Sequence, residues 1–239
     1  MSDKGDQPRI LVIGARGSIG ATLILRALDD NWSVTGTGRG NRPDTLPNGV
    51  AWIRYDPLDG AGAFAGHAAF DAVCWSLGAN MADSLLSFDP ERHLALYRTN
   101  CLSVMESLST LVTDRLLAAS GARLCVISSI WQERARQDKF SYSVTKAAVG
   151  GLVRAASVDL GIQGHLINAV LPGVLDTPMT ASNLTPDQIA VVQGKTTLGR
   201  LADLGTVADT VLFLCSSRNR SITGQSITVD MGMSNASLV

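Results

Sequence analysis

The apolar run Arg9-Ile10-Leu11-Val12-Ile13 meets glycine at once, in the stretch Gly14-Ala15-Arg16-Gly17-Ser18-Ile19-Gly20. A short apolar run stopped by glycine reads as a buried strand and a tight turn, and residues 18–30 then read as a helix. A buried strand that passes straight into a helix has to be covered by it, so this junction commits the chain to layers of helix on sheet. The alternation continues to the end. Strands are predicted over residues 33–37, 50–54, 70–75, 123–127, 165–171 and 226–229. Asp89-Pro90 opens a long helix to about residue 119, with Leu94, Tyr97, Cys101, Val104, Met105, Leu108, Leu111 and Val112 forming one apolar stripe. Further helices are predicted over 142–160 and 206–216, and residues 176–200 read as irregular and polar, with a short helix after Thr185-Pro186. Strand and helix in alternation argue for a doubly wound parallel sheet of about seven strands with helices on both faces.

The chain has 239 residues, 46% hydrophobic and 17% charged, which suits one α/β domain over residues 1–239. Its 20 basic and 21 acidic residues leave a formal charge of −1, and no basic tract reaches five residues, so no nucleic-acid partner is expected. The start, Met1 to Arg9, lacks the apolar core of a signal peptide, and no apolar run approaches the ~20 residues that span a bilayer. The expectation is a cytoplasmic protein without a membrane partner. Cys74, Cys101, Cys125 and Cys215 are scattered in apolar or helical segments and read as buried thiols. His67, His93 and His165 show no ligand spacing, so no metal is assigned.

A glycine-spaced turn between a first strand and a first helix lets backbone amides approach a pyrophosphate, and the helix start adds a positive dipole end. The fold is therefore expected to be Rossmann-type, with Gly14, Gly17 and Gly20 in the turn and Ser18 and Ile19 opening the helix. A plain structural turn is the alternative. At the end of the second strand an acidic residue would bind a ribose 2′-hydroxyl. The segment here, Ser33-Val34-Thr35-Gly36-Thr37-Gly38-Arg39, has none. Arg39 and Arg16 suit a 2′-phosphate instead, so NADPH is expected over NADH; the alternative is that both are ordinary solvated charges.

Tyr142 and Lys146 lie four residues apart, and Ser129 lies thirteen residues before the tyrosine at the end of an apolar run. A phenol with a pKa near ~10 is a poor acid at neutral pH. An ammonium one helical turn away favours the phenolate, and a nearby serine hydroxyl can hold the oxygen that exchanges the proton. A lone Tyr-x-x-x-Lys is more often a packed tyrosine and a solvated lysine, so the rest of the chain has to decide.

Taken in order, these pieces resemble the short-chain dehydrogenase/reductase family over nearly the whole chain, nearest to members similar to 3-oxoacyl-carrier-protein reductases. They are the glycine loop, Asp56-Pro57-Leu58-Asp59, Asn100, Ser129, Tyr142 with Lys146, Pro172-Gly173 with Thr177, Ile222-Thr223-Gly224-Gln225, and Val229-Asp230-Met231-Gly232. The resemblance implies that Tyr142 is the general acid in reduction and that Lys146 lowers its pKa and holds the nicotinamide ribose. It implies that Ser129 binds the substrate oxygen and that Asn100 bends the long helix and holds a relay water. It further implies that Asp56 and Pro57 meet the adenine, that Gly78 borders the cofactor, and that Pro172, Gly173, Val174 and Thr177 hold the carboxamide. It also implies a homotetramer or homodimer built on the two long helices, although the small residues Ala147, Ala148, Gly150, Gly151 and Ala155 equally suit packing on the chain's own sheet. Four places depart from the family pattern, the least of them Asp230-Met231-Gly232 in place of Asp-Gly-Gly. Ile13 replaces a threonine, the middle glycine falls at Gly17 instead of at Ser18, and Trp75-Ser76-Leu77-Gly78 replaces Asn-Asn-Ala-Gly.

After Ser129 the chain reads Ile130-Trp131-Gln132-Glu133-Arg134-Ala135-Arg136-Gln137-Asp138-Lys139. Trp131 and Gln132 are candidates to line the site. Arg134 and Arg136 either meet an anionic group or form a solvated charged loop, and the charge pattern alone favours the loop. Residues 179–200 are expected to close as a lid, the alternative being a loop with no gating role. The expected activity is NADPH-dependent reduction of a ketone to an alcohol, or the reverse. The substrate is a small polar keto compound, a sugar derivative or a 3-oxoacyl thioester. An epimerase or dehydratase that recycles bound cofactor is disfavoured by the chain's length. A non-catalytic dinucleotide-binding regulator or scaffold is disfavoured by the intact Asn100, Ser129, Tyr142 and Lys146.

Overall fold

The computed structural model describes residues 7–56 and 62–235. Its strands are β1 (Arg9–Ile13), β2 (Ser33–Gly38), β3 (Ala51–Arg54), β4 (Ala72–Trp75), β5 (Arg123–Ile127), β6 (Leu166–Pro172) and β7 (Ser226–Val229). They form one seven-stranded parallel sheet in the order β3-β2-β1-β4-β5-β6-β7. The helices are α1 (Ser18–Asp29), α2 (Pro90–Tyr97), α3 (Ser103–Thr113), α4 (Phe140–Gly161), α5 (Pro178–Asn183), α6 (Pro186–Gln193) and α7 (Leu204–Cys215).

Side chains alternate across each strand, so every central strand feeds two cores. Ile10 and Val12 of β1 pack with Leu23, Ile24 and Ala27 of α1 and Val207 and Val211 of α7. Leu11 and Ile13 turn the other way, onto Val104 and Leu108 of α3 and Val149 and Val153 of α4. Each such side chain taken fully out of water contributes ~1.5–3 kcal/mol, which is why the apolar runs become strands buried on both faces. The chain builds β1, β2 and β3 outward to one side and then returns to place β4 on the other side of β1. The crevice beyond the carboxyl ends of β1 and β4 is therefore the switch point of the sheet, where ligands bind in open α/β folds.

Two predicted elements differ in the structure. The long helix expected to about residue 119 is broken by a π turn at Arg98–Leu102, and α3 stops at Thr113. The π turn holds Asn100, whose side chain is drawn to the backbone of Ala79. The stop comes from Arg115, which takes a left-handed φ of 56°, while the Leu116 amide bonds back to the Leu111 carbonyl at 2.9 Å. A helix ended this way by a non-glycine residue carries no sequence signal. The stretch read as mostly irregular contains two helices. Thr177 accepts from the Thr180 amide to open α5, and Thr185 and Gln188 cap each other reciprocally to open α6. Both starts are Thr-Pro, so the first was as legible as the second.

Gly150 of α4 faces inward. A Cβ there would stand 2.8 Å from the side-chain Nε2 of Gln132, so this glycine makes room for that side chain. All four cysteines are free and buried. Among the described residues no helix is long and apolar enough to cross a membrane, and no His, Cys, Asp and Glu cluster could hold a metal ion.

Candidate active site

The glycine loop sits at the switch point, and its three glycines answer to different constraints. Gly14 has a φ of 91°, and a Cβ there would lie 2.6 Å from the Leu77 amide nitrogen. A Cβ on Gly20 would lie 2.5 Å from the Gly14 carbonyl oxygen. Both positions are closed by the protein itself. Gly17 is not: its φ is −74°, and the nearest atom to an added Cβ is the Gly14 carbonyl at 3.6 Å. A side chain at Gly17 would enter the space where two cavities meet. Gly17 also gives α1 no side-chain cap, so the first amides of that helix open onto the same space. Open amide donors at a helix start behind a glycine without internal packing fit the pyrophosphate of a dinucleotide.

The Trp75-Ser76-Leu77-Gly78 segment has its own way of steadying this loop. The Ser76 hydroxyl donates to the Ile13 and Gly14 carbonyls at 3.0 and 3.1 Å. Trp75 is fully buried, and its indole N–H donates to the Ser107 hydroxyl at 2.8 Å.

The first cavity, about 490 Å³, is a cleft lined by Gly14, Arg16, Gly17, Arg39, Asp56 and Gly78 among others. Pro57 lies outside the described residues. Arg16 and Arg39 are exposed and line the same cleft. Arg16 lies across the turn after β2, with its Nη1 2.9 Å from where a Cβ on Gly40 would stand. Thr37, Tyr55 and Thr99 also line this cleft and had no functional reading in the sequence. Thr37 is 1% exposed and its hydroxyl has no partner.

The second cavity, about 480 Å³, meets the first at Gly17, Ser76 and Gly78. Ser18, Ile19, Ser129 and Tyr142 line it, as do Pro172, Gly173, Val174 and Thr177 at the end of β6. Gly173 is required for packing, since a Cβ there would stand 2.8 Å from the Asp230 side chain. Ser129 is buried, and its Oγ accepts the Trp131 amide at 3.3 Å. Gly20, Asn100 and Lys146 stand behind the walls of both cavities rather than in their lining.

Lys146 is 3% exposed and donates to the Ile127 carbonyl at 3.2 Å. Its Nζ lies 5.7 Å from the centre of the Tyr142 ring. Burial lowers the lysine to about 8, with a smaller opposing effect from Cys101. Tyr142 moves up from its ordinary value because burial disfavours the phenolate, with the Ser129 hydroxyl pulling it down. Burial is the larger of these two effects, and the Lys146 ammonium stands over the ring face. Asn100 is 2% exposed; it accepts the Ala79 amide at 2.8 Å and donates to the Ala79 carbonyl at 3.1 Å and the Thr145 hydroxyl at 3.0 Å. It thereby joins the π turn, the wall after β4 and the helix that carries Tyr142 and Lys146.

Two residues without a sequence reading also stand out in the second cavity. Lys139 lines it three residues before Tyr142, on the same helical face. Ser128 is buried beside Ser129 with its hydroxyl unpartnered. A third cavity of about 620 Å³ adjoins, lined by Trp131, Arg134, Arg136, Gln188 and Lys195 among others, so both arginines of the charged stretch face a cavity.

Residues 61–234 match the family model described as enoyl-(acyl carrier protein) reductase. The 3-oxoacyl-[acyl-carrier-protein] reductase of Chlamydia muridarum is 30% identical over 172 residues, 71% of this chain and 67% of that protein. The L-xylulose reductase of Bos taurus is 28% identical over 233 residues, 94% of this chain and 95% of that one. The crystal structure of a gluconate 5-dehydrogenase from Burkholderia cenocepacia, in complex with NADP and tartrate, superposes with a TM-score of 0.88 at 22% identity, covering 98% of this chain and 97% of that one; this likeness speaks for the fold. A dinucleotide cradle at the switch point, on a chain matched by that family over most of its length, leads to one assignment: it belongs to the short-chain dehydrogenase/reductase family of NAD(P)-dependent oxidoreductases.

Proposed function

We propose that this protein is an NADPH-dependent carbonyl reductase, or the corresponding alcohol dehydrogenase in reverse. The observation that carries the reading is Tyr142 and Ser129 on one cavity wall, with Lys146 one turn along α4 behind the ring. When bound, the nicotinamide supplies the hydride in reduction and accepts it in oxidation. Ser129 donates a hydrogen bond to the substrate oxygen, and Tyr142 gives that oxygen its proton. Tyr142 starts as the neutral phenol, the state a donor needs, and the Ser129 hydroxyl opposes the rise that burial imposes on it. With its pKa at about 8, Lys146 remains mostly charged at neutral pH and stabilises the phenolate that the proton leaves behind. Asn100 is a positioning residue, acting through Ala79 and Thr145.

Gly14, Gly17, Ser18 and Ile19 would hold the pyrophosphate, with Gly20 keeping the loop closed, and Arg16 and Arg39 the 2′-phosphate, which favours NADPH over NADH. Asp56 and Pro57 would meet the adenine and Gly78 the middle of the cofactor. Pro172, Gly173, Val174 and Thr177 would flank the nicotinamide. The substrate is a small polar keto compound, a sugar derivative or a 3-oxoacyl thioester. Relatives named for 3-oxoacyl and xylulose substrates support that range, and Trp131 and Arg136 in the wall support the polar end of it. The α5–α6 segment closes over the substrate, since Leu184 and Gln188 line both the second and the third cavity.

The test follows NADPH oxidation over a panel of aldehydes and ketones, with Tyr142→Phe as the blank. The wild type should turn over at least one carbonyl class. The variant should lose ~10²–10⁴-fold in kcat while still binding NADPH. NADPH binding with no turnover on any carbonyl would favour a dinucleotide-sensing role instead.

A further inference from the structure

We propose that the substrate carries an oxyanion, a carboxylate or a phosphate ester, held by Lys139 and Arg136 while its carbonyl or hydroxyl group lies between Ser129 and Tyr142. The inference rests on the reductase reading above and names the substrate class of the same site.

Both cations line the cavity that Ser129 and Tyr142 line. The Lys139 Nζ stands 5.8 Å from the centre of the Tyr142 ring, so an anion it holds sits within a few bonds of the reacting oxygen. The ammonium is aimed rather than free. It donates to the Asn80 side-chain oxygen at 2.8 Å and to the Met81 carbonyl at 3.3 Å. Both acceptors are neutral, and an ammonium has a third N–H to offer.

The position also opposes ordinary helix electrostatics. Lys139 is the N-cap of α4, a helix of 22 residues with no acidic residue in its first turn and no side-chain cap from Lys139. A carboxylate suits a helix start, where the dipole is positive, and here it comes from another segment, Asp83, which accepts the first-turn Ser141 amide. Arg136 adds a second charge. Among the described residues it has no hydrogen-bond or ion-pair partner, and Lys139 has no ion-pair partner. Burial, and then the Arg136 charge, hold Lys139 below its ordinary pKa, against an upward pull from Asp138 and Asp83. Asp83 is already engaged, accepting the Ser141 amide at 2.9 Å. The unpartnered Ser128 hydroxyl lines the same cavity and gives a polar ligand one more group to bond. Two cations and a spare hydroxyl border one cavity whose lining also holds the Asp138 carboxylate, and an anion entering there would relieve the repulsion between Lys139 and Arg136.

Three aldehydes share a carbonyl and differ in charge: benzaldehyde, para-formylbenzoate and para-formylphenyl phosphate. Their reduction is compared in the wild type, Arg136→Gln and Lys139→Gln. In parallel, the matching alcohols are titrated into the NADPH-loaded protein by tryptophan fluorescence, using Trp131 in the wall. The wild type should prefer an anionic probe by about tenfold or more, as charge-assisted bonds allow. Arg136→Gln, which has no internal bond to lose, and Lys139→Gln should each erase most of that preference; whichever anion shows it names the oxyanion. An equal response to neutral and anionic probes in the wild type overturns the proposal, as does a preference that survives both substitutions. A parallel loss of NADPH affinity in the variants also overturns it, because the cations would then serve the cofactor. Anion-selective binding that depends on both cations, with no turnover of any aldehyde, upholds the anion site and removes the reductase reading.

Discussion

The two ends of this site are built in opposite ways. At the catalytic end, Asn100 and Lys146 are 2% and 3% exposed and bonded to the fold itself. At the outer end of the cofactor cleft, Arg16 and Arg39 are exposed, and among the described residues neither has a hydrogen-bond or ion-pair partner. A buried side chain bonded to its neighbours is tied to the fold, so altering it changes stability as well as chemistry. An exposed side chain that makes no internal hydrogen bond or ion pair can change at little cost to the core. On the proposed reading, the catalytic machinery is held in place by the fold, whereas preference for one dinucleotide would rest on groups that make no hydrogen bond or ion pair with it.

The largest effect that would sharpen this contrast is at Lys146. Lys146→Met should lower kcat by ~10²–10⁴-fold if the ammonium supports the proton donor. The same variant should be more stable at pH 7. The lysine stands at 10.5 when unfolded and about 8 when folded, so burying its charge costs about 3 kcal/mol. Because the unfolded chain binds the extra proton between those values, wild-type stability should gain on the variant as pH rises from about 8 to 10.5. Thermal melts of both proteins across that range check the sign. A variant that is less stable at pH 7 would show that Lys146 is held by interactions stronger than its desolvation.

At the other end, replacing Arg16 and Arg39 together with alanine should weaken NADPH by about 10–100-fold, at ~1.4 kcal/mol per tenfold, and leave NADH and the melting temperature nearly unchanged. Equal weakening of both cofactors would break the comparison, because the arginines would then be serving the loop and not the 2′-phosphate. The smallest effects separate the glycines. Gly20→Ala should destabilise by about 1–3 kcal/mol, since its Cβ meets backbone. Gly17→Ala should shift stability by less than about 0.5 kcal/mol and still weaken NADPH binding. A Gly17 variant that loses stability as Gly20 does would mean that the loop is closed by its own packing and leaves no room for a pyrophosphate.

The same contrast explains what could be read in advance. The succession of strands and helices and the glycine loop follow from periodicity and residue spacing, which are local, whereas Ser129, Tyr142 and Lys146 were singled out by spacing and joined into a set by the family resemblance. The break at Asn100 was expected only through the family resemblance, because its cause is the Ala79 backbone on another segment. The stop at Thr113 was missed because Arg115 takes a conformation that glycine usually marks. Lys139 was passed over although its spacing from Tyr142 puts it on the same helical face; the charged stretch around it looked like a solvated loop. Ser128 and Thr37 matter through burial without a partner, which only packing reveals.

Ser76 has a consequence for how the protein is assembled. Its hydroxyl reaches back from the end of β4 to the carbonyls of Ile13 and Gly14, so the glycine loop is tied down by a residue made long after the loop itself. A nascent chain holding only the first three strands lacks that tie. If the loop holds the cofactor's phosphates as proposed, cofactor binding would report that the central sheet has closed, and its free energy would be added to the stability of the closed sheet rather than to one loop.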